Sequence, residues 1–421
     1  MNGSLCWLPS AIPIQKSGCL IRPKRCCIRC AGTAKMIIEI KGVNFVNKGA
    51  ELMLRAALQQ LNSWEEVGAT AAIGLKGSSF KQRRQAGVAH LAWLDSRKLF
   101  FVGPLLNGVL GLLPPALRQR WGWVRLPEVE AILDASGFAY SDQFGPVYPE
   151  LMRSYYRRAK QYGQKIVLLP QAFGPFTHTR MAEAMQEIVQ LADLVYARDP
   201  LSYDHLVTLN GRQPHIKLAP DFTNLVQPII PQGEAVWHRQ PCIIPNERML
   251  AKTAADVQAN YIPFLIQIVE YLQAKGLRPF LLVHETQADL AVCQAITAGL
   301  AMAVPIVREP DALKIKGIIG QSLITVSSRY HGLISSLAQG VPVLATGWSH
   351  KYQMLLEDYN CPESLVSPLI ATSDLAPLLD SMIEEPYRTQ LITRLNNANE
   401  QLQWSTSAMW ADVKTMLLSD K

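Results

Sequence analysis

Residues 324–345 read Ile324-Thr325-Val326-Ser327-Ser328-Arg329-Tyr330-His331-Gly332-Leu333-Ile334-Ser335-Ser336-Leu337-Ala338-Gln339-Gly340-Val341-Pro342-Val343-Leu344-Ala345. A short apolar run is followed by a tight polar turn, an apolar pattern of helical spacing, a glycine stop and a second short apolar run. The pattern predicts a strand over 323–327, a helix over 331–339 and a strand over 342–346. Strand, helix and strand in that order form the unit of a parallel sheet covered by helices.

The same alternation extends in both directions. Upstream, strands are expected over 37–40, 69–75, 131–137, 165–169 and 194–197. Helices over 50–61, 149–162 and 179–191 separate some of them. Residues 226–241 break the rhythm with Pro228, Pro231, Gly233 and Pro241 and are expected to be a linker. The alternation then restarts at Cys242-Ile243-Ile244, with a long helix over 257–274, a strand over 278–284, a helix over 288–300, a strand over 305–307 and a helix over 311–319. The expected organisation is a leader over 1–35, an N-terminal Rossmann-like domain over 36–225, the linker, a C-terminal Rossmann-like domain over 242–384 and closing helices over 385–421. Two doubly wound α/β halves facing a cleft make a GT-B-like architecture.

Composition agrees with an ordered chain of this size. The 421 residues are 49% hydrophobic and 18% charged, which excludes a disordered protein. The formal charge of +7 is concentrated at the start. Residues 1–35 hold six basic residues and no acidic one, and the remaining chain holds 35 basic and 34 acidic residues. Nothing in that balance suggests a nucleic-acid partner. Five of the eight cysteines also lie before residue 31, leaving Cys242, Cys293 and Cys361, too few for a disulfide framework and consistent with a reducing compartment. Cys27-x-x-Cys30 has zinc-like spacing without a second ligand pair. The leader lacks the apolar stretch of a secretory signal and is expected to be poorly ordered sequence ahead of a start at Met36, with a transit segment as the alternative.

One stretch stands apart. Residues 99–117 contain no charged side chain, and Arg97, Lys98, Arg118, Arg120, Trp121 and Trp123 flank them. Pro104, Pro114 and Pro115 argue against a regular spanning helix. Two readings remain: a segment lying in a membrane interface, or an insert buried in the core.

Candidate chemistry gathers where strands end, because ligands of such sheets bind beyond the carboxyl edge. Arg329 brings a permanent fork for carboxylate or phosphate, beside a helix N-terminus with unpaired N–H groups. His331 can exchange a proton near neutral pH. A solitary histidine is more often structural, but this one sits between an arginine and a helix start. Other strand ends supply Asn47 and Lys48, Ser136 with Asp142, Gln171, Arg198, then Asn246, His284 and Lys351. Helix capping accounts for Asp199 and Ser202 but not for Arg198. No Walker loop, dinucleotide fingerprint or metal-ligand spacing occurs in the body.

Taken together, these pieces resemble the polysaccharide pyruvyl transferase family. They are Asn47-Lys48-Gly49-Ala50-Glu51, Ala135-Ser136-Gly137-Phe138 with Asp142, the run from Gln171 to Gly174-Pro175, Ala197-Arg198-Asp199-Pro200-Leu201-Ser202, Ala219-Pro220-Asp221, Ser328-Arg329-Tyr330-His331-Gly332 and the run from Gly340-Val341-Pro342 to Lys351. The resemblance covers about 36–356. Members of the family often carry Gly-Gly where Ala135-Ser136-Gly137 stands, and an acidic residue where Ala50 stands.

The resemblance implies a transferase that moves the enolpyruvyl unit of phosphoenolpyruvate onto two hydroxyls of a sugar, giving a cyclic ketal and phosphate. Phosphoenolpyruvate is then a co-substrate, and neither a cofactor nor a metal is implied. The acceptor is a glycan or lipid-linked sugar. Arg198, Arg329 and Lys351 would hold the donor, and His331 would act as acid/base. Asp142, the second catalytic residue, would orient or deprotonate an acceptor hydroxyl. Asn47, Lys48, Ser136, Gln171, Asn246 and His284 would line the cleft. The expected location is the cytoplasm, with peripheral contact at the inner membrane face through 99–117. Two rival readings are a GT-B glycosyltransferase using a nucleotide-sugar and a non-catalytic glycan- or anion-binding protein.

Overall fold

Two parallel sheets carry the structure. In the first, eight strands are β1 (Ile37–Lys41), β2 (Thr70–Ile73), β3 (Ala89–Leu91), β4 (Trp123–Val124), β5 (Ala131–Asp134), β6 (Lys165–Gln171), β7 (Leu194–Ala197) and β8 (Ile216–Leu218). The second holds β9 (Cys242–Ile244), β10 (Phe280–Val283), β11 (Ile306–Arg308), β12 (Thr325–Ser327) and β13 (Val343–Ala345). The computed structural model describes residues 36–93, 102–232 and 236–419. The basic leader, Arg97, Lys98 and the first residues of the uncharged stretch lie outside the described residues.

Strand order places the functional edge. The first sheet runs β4-β3-β2-β1-β5-β6-β7-β8 and the second β11-β10-β9-β12-β13. The chain builds outward from β1 to β4, then returns to the other side of β1 with β5. Ile38 pairs with Ala131 and Lys41 with Asp134. The second sheet does the same at β9 and β12, pairing Cys242 with Thr325 and Ile244 with Ser327. Loops leaving two neighbouring strands in opposite directions open a crevice at each such reversal, beyond the carboxyl ends. β1/β5 and β9/β12 are these two points.

The central strands are buried on both faces, which is why they read as continuous apolar runs. Helices seal them into separate cores, one around Ile243, Leu281 and Leu344 and others around Ile38, Leu133 and Val167 or Ile132, Leu168 and Tyr155. The final helix, Tyr387–Leu418, belongs to both lobes. Its first half puts Leu391, Leu395 and Ala398 into the C-terminal core, and its second half puts Met409, Trp410 and Val413 into the N-terminal one. Its 32 residues make it about 48 Å long at 1.5 Å per residue, enough to cross from one lobe to the other. Trp410 closes the far end edge-on to Trp64 and Phe222.

Several elements differ from the sequence expectation. The strand expected over 131–137 stops at Asp134, because Asp134 turns the chain by bonding Ser136. β3, β4 and β8 have three, two and three residues, below the length at which alternation is visible. The described residues of 226–241 contain no strand or helix. The proline-bearing stretch is helical after all, as Val102–Gly111 and Pro115–Arg120, with Pro115 opening the second helix where no N–H is needed. Among its described residues Leu105, Val109, Leu112, Leu113 and Leu117 are exposed, so these do not form a core insert. Among the described residues, no helix is long and apolar enough to cross a membrane.

Candidate active site

A cavity of about 490 Å³ lies between the two reversal points and takes its walls from both lobes. The N-terminal lobe contributes the loop after β1, the first turn of the helix Lys48–Ser63 and the turn after β5. The C-terminal lobe contributes the ends of β9, β10, β12 and β13.

Close backbone contact forms the N-terminal wall. Gly42 adopts φ +79°, and a Cβ there would stand 2.6 Å from the backbone nitrogen of Ser136. Only glycine lets the loops after β1 and β5 meet this tightly. Asp134 then fixes the second loop. Its carboxylate accepts from Ser136 N at 2.8 Å, from the Ser136 hydroxyl, from Tyr140 Oη at 2.5 Å and from the Tyr156 hydroxyl. Burial, reinforced by the Asp134 charge, pushes both tyrosines well above their ordinary pKa, so they stay protonated and donate. Ser136 and Phe138 are thereby presented to the cavity on a rigid turn.

His331 reaches across the cavity to that wall. It lies in the first turn of the helix Tyr330–Leu337, and its ring abuts Gly49 in the first turn of Lys48–Ser63. Asn47 caps the latter helix by accepting from Ala50 N at 3.0 Å. Burial brings the His331 pKa down to about 4; Asp221 opposes this, while Arg198, Lys351 and Lys316 add to it. The imidazole is therefore neutral at pH 7. It lines the cavity, and its Nε2 has no hydrogen-bond partner among the described residues.

Arg198, Arg329 and Lys351 line the same cavity, and their partners differ. Arg198, buried at the end of β7, donates to Asp221 Oδ2 at 3.1 Å and lies 4.3 Å from the centre of the Tyr330 ring. Asp221 also accepts from Thr223 N and Oγ1. Burial alone would raise the Asp221 pKa, but His331, Arg198 and the Thr223 bonds hold it below the usual carboxylate value. Arg329 gives its two terminal nitrogens to Glu285 and Asp289, leaving Nε without a partner. Burial lowers its pKa to about 10, so it stays charged at neutral pH. Lys351 has no hydrogen bond or ion pair to a described residue. Its Nζ sits 4.8 Å from the Trp348 ring centre and 5.4 Å from those of Phe138 and Tyr330. Burial, with Arg198 and Arg329 nearby, brings the Lys351 pKa down to about 7.

The other expected residues fall into two groups. Asn47, Ser136, Asn246 and His284 line the cavity. Asn246 donates to Ser328 O at 2.7 Å and accepts from Arg248 N, so it mainly shapes the turn after β9. Burial holds His284 well below its ordinary pKa. Asp142, Gln171 and Lys48 do not line it. Asp142 accepts from Thr177 N and Oγ1 at 2.7 and 2.6 Å. Gln171 is buried and donates weakly to Asp134 O at 3.4 Å. Lys48 donates to Pro310 O at 2.5 Å and Glu51 at 2.7 Å, tying the lobes together beside the cleft. Sequence reasoning gave no role to Asp221, Phe138 or Tyr330, although they stand in the quoted runs, nor to Glu285 at its strand end, and it passed over Asp289 and the Trp348 wall. For Asp221 and Glu285 a signal existed, since both directly follow strands or their turns. Asp289 lies inside a helix and gave none.

The family model for polysaccharide pyruvyl transferase matches residues 47–350, from the cap of the first helix to the end of the loop after β13. The chain belongs to the polysaccharide pyruvyl transferase family. The match contains Arg198, Asp221, Arg329 and His331, and stops one residue before Lys351. A search of curated proteins finds no match. Solved structures share the fold of this pyruvyl transferase family member at low identity. Anabaena HepE in complex with UDP and glucose is 14% identical, with TM-score 0.56, over 92% of this chain and 100% of that one. S. aureus MnaA with UDP is 10% identical, with TM-score 0.56, over 92% and 99%. UDP-GlcNAc 2-epimerase from Neisseria meningitidis bound to UDP-GlcNAc is 9% identical, with TM-score 0.55, over 91% and 99%. At these identities the likeness establishes a GT-B-like fold and leaves the ligand open.

Proposed function

We propose that this transferase moves pyruvate from phosphoenolpyruvate onto two neighbouring hydroxyls of a glycan sugar, forming a cyclic ketal and releasing phosphate. The observation that carries this reading is the meeting of Arg198 and Lys351 with a neutral His331 in one cavity walled by both lobes. A donor bearing a carboxylate and a phosphate needs two fixed cations in a partly dry site. Arg198 and Lys351 serve as those cations, with Arg329 Nε as a third donor. Ser136, Phe138 and Asn47 form the acceptor side.

The reaction balances within this set. A proton delivered to the methylene carbon of phosphoenolpyruvate makes a methyl group and leaves an oxocarbenium-like centre at C2. The first sugar hydroxyl adds there, and neutral His331 accepts its proton. The C2–O bond to phosphate breaks, the second hydroxyl closes the ring, and its proton leaves with phosphate. Of the two hydroxyl protons, one replaces that spent on the methyl group and the other is carried by the phosphate. Lys351, with its pKa near 7, is the proton donor to carbon. A phosphoenolpyruvate-dependent reaction supports a cytoplasmic location as part of this reading.

The test is to incubate the full chain with phosphoenolpyruvate and a panel of free and lipid-linked glycans, following inorganic phosphate and product mass. A product heavier than its acceptor by one pyruvate unit less water supports the reading. Transfer from a nucleotide-sugar with no phosphate released from phosphoenolpyruvate replaces it with a glycosyltransferase. Ligand binding without turnover for either donor makes this a binding protein.

A further inference from the structure

Charge on the folded chain is distributed very unevenly. Between Val67 and Pro127 there are nine basic residues and one acidic residue, Asp95, whereas the rest of 36–421 holds 26 basic and 33 acidic residues. The described residues of that stretch, 67–93 and 102–127, are neighbours in space as well as in sequence. They build β2, β3 and β4, the outer end of the eight-stranded sheet, together with the helices Phe80–Ala86, Val102–Gly111 and Pro115–Arg120. Lys76, Lys81, Arg84 and Arg120 are exposed there and make no ion pair with a described residue. Of the carboxylates that flank the stretch, Glu128 is occupied by Arg118 and Arg125 and Glu66 by Lys414, while Glu65 stands beside Glu66 at the other end of β2.

An apolar stripe crosses the same end. Leu105, Val109 and Leu112 recur at helical spacing and are 67%, 55% and 86% exposed. Leu113, Leu117 and Trp121 continue the row, with Trp121 59% exposed. The opposite face of the first helix is anchored by Asn107, which donates to Ala92 O and accepts from Leu126 N. The stripe is thus held outward by the fold.

We propose that this end of the N-terminal lobe docks on an anionic phospholipid surface. Large aliphatic side chains and a tryptophan in a row, bordered by exposed lysine and arginine and, among the described residues of 67–127, without a carboxylate, are what a membrane interface selects. The aliphatic groups enter the boundary of the acyl chains while the cations meet the headgroups, and the long basic side chains can reach past the apolar row to do so. A second copy of this chain is a poorer occupant, because two surfaces of the same strong positive charge repel. Nucleic acid would be drawn by the charge but offers nothing to six exposed apolar side chains.

The test is flotation of the full chain with phosphatidylcholine vesicles, with and without phosphatidylglycerol, over a salt series. Two double variants are compared: Leu105→Ser with Leu112→Ser, and Lys81→Gln with Arg84→Gln. All four positions are exposed and outside the cavity, so thermal melting and phosphate release with a soluble acceptor should be unchanged. The wild type should float with the anionic vesicles and dissociate as salt rises. The charge variant should bind about 30-fold more weakly, at roughly 1 kcal/mol per basic residue near the surface. The serine variant should lose binding at every salt concentration. The proposal is overturned if the wild type does not float. Equal binding by both variants also overturns it, since attraction then resides elsewhere, for example in residues 1–35. So does a salt-resistant dimer in sedimentation that the serine variant abolishes.

Discussion

A Cβ on Gly49 would stand 2.9 Å from Cγ of His331 and closer still to its Nδ1, although the two residues belong to different lobes. The absent side chain is therefore what lets the histidine reach the N-terminal wall. Alanine at a helix interior position is normally favoured over glycine by about 1 kcal/mol, so Gly49→Ala should leave the melting temperature close to that of the wild type. It should nevertheless displace the ring and lower turnover by roughly 10²-fold, the scale expected for a reacting group moved by about an ångström. Phosphate-release kinetics beside a thermal melt check both halves. Unchanged turnover in the folded variant would mean that His331 need not sit there.

The pH profile should carry the two shifted groups. His331 must be neutral to accept a proton, and its pKa is brought down to about 4, so activity falls as pH drops through about 4. Lys351 must be charged to donate, and its pKa is brought down to about 7, so activity falls as pH rises through about 7. The plateau lies between the two. Lys351→Arg should remove the alkaline limb while lowering the maximum, because arginine does not titrate in that range. His331→Ala should cost roughly 10² to 10⁴-fold across the profile. An alkaline limb that survives in Lys351→Arg would assign it to another group.

The sequence showed the sheet better than it showed the cavity, for reasons that differ by residue. Apolar runs such as Ile132-Leu133 and Val326 announce buried parallel strands, because both their faces are covered. Strand ends announce candidate ligands, which is how Arg198, Arg329, His331 and Lys351 came forward. Partnership between segments far apart in sequence leaves no local trace. Nothing near Arg198 in sequence says that Asp221 and Tyr330 hold it, and Asp142 reads as a cleft acid until Thr177 is seen to occupy it. β3 and β4 were illegible because two or three residues contain no period.

Arg329 is expected to matter for stability as much as for the donor. Its side chain bonds both Glu285 and Asp289, burial pushes the Asp289 pKa up to about 7, and all three are largely buried. Arg329→Met removes the cation and strands two carboxylates, a change that costs about 3–5 kcal/mol for a broken buried pair. Arg329→Lys keeps one charge but cannot reach both partners at once, so it should fall between the two in urea denaturation. A methionine variant as stable as the wild type would show that the carboxylates are satisfied without it.

In the proposed reaction Phe138 is expected to act on the acceptor and not on the donor. It stands on the turn that Asp134 fixes, half-buried, edge-on to Phe144 and His350, with Lys351 Nζ 5.4 Å from its ring centre. A ring held rigidly at the wall of a polar cavity offers a flat apolar surface, and the ring faces of sugars, lined with C–H groups, fit such surfaces. Phe138→Ala should therefore raise the acceptor KM by about tenfold, corresponding to the upper end of a single aromatic contact. The KM for phosphoenolpyruvate should hardly move, since no charge is lost. Because the turn is tied by Ser136, Tyr140 and Tyr156 rather than by Phe138, the fold should persist. Initial-rate kinetics with each substrate varied in turn distinguish the outcomes. A rise in the phosphoenolpyruvate KM alone would move Phe138 to the donor side, where its role would be to hold Lys351 against the cavity wall.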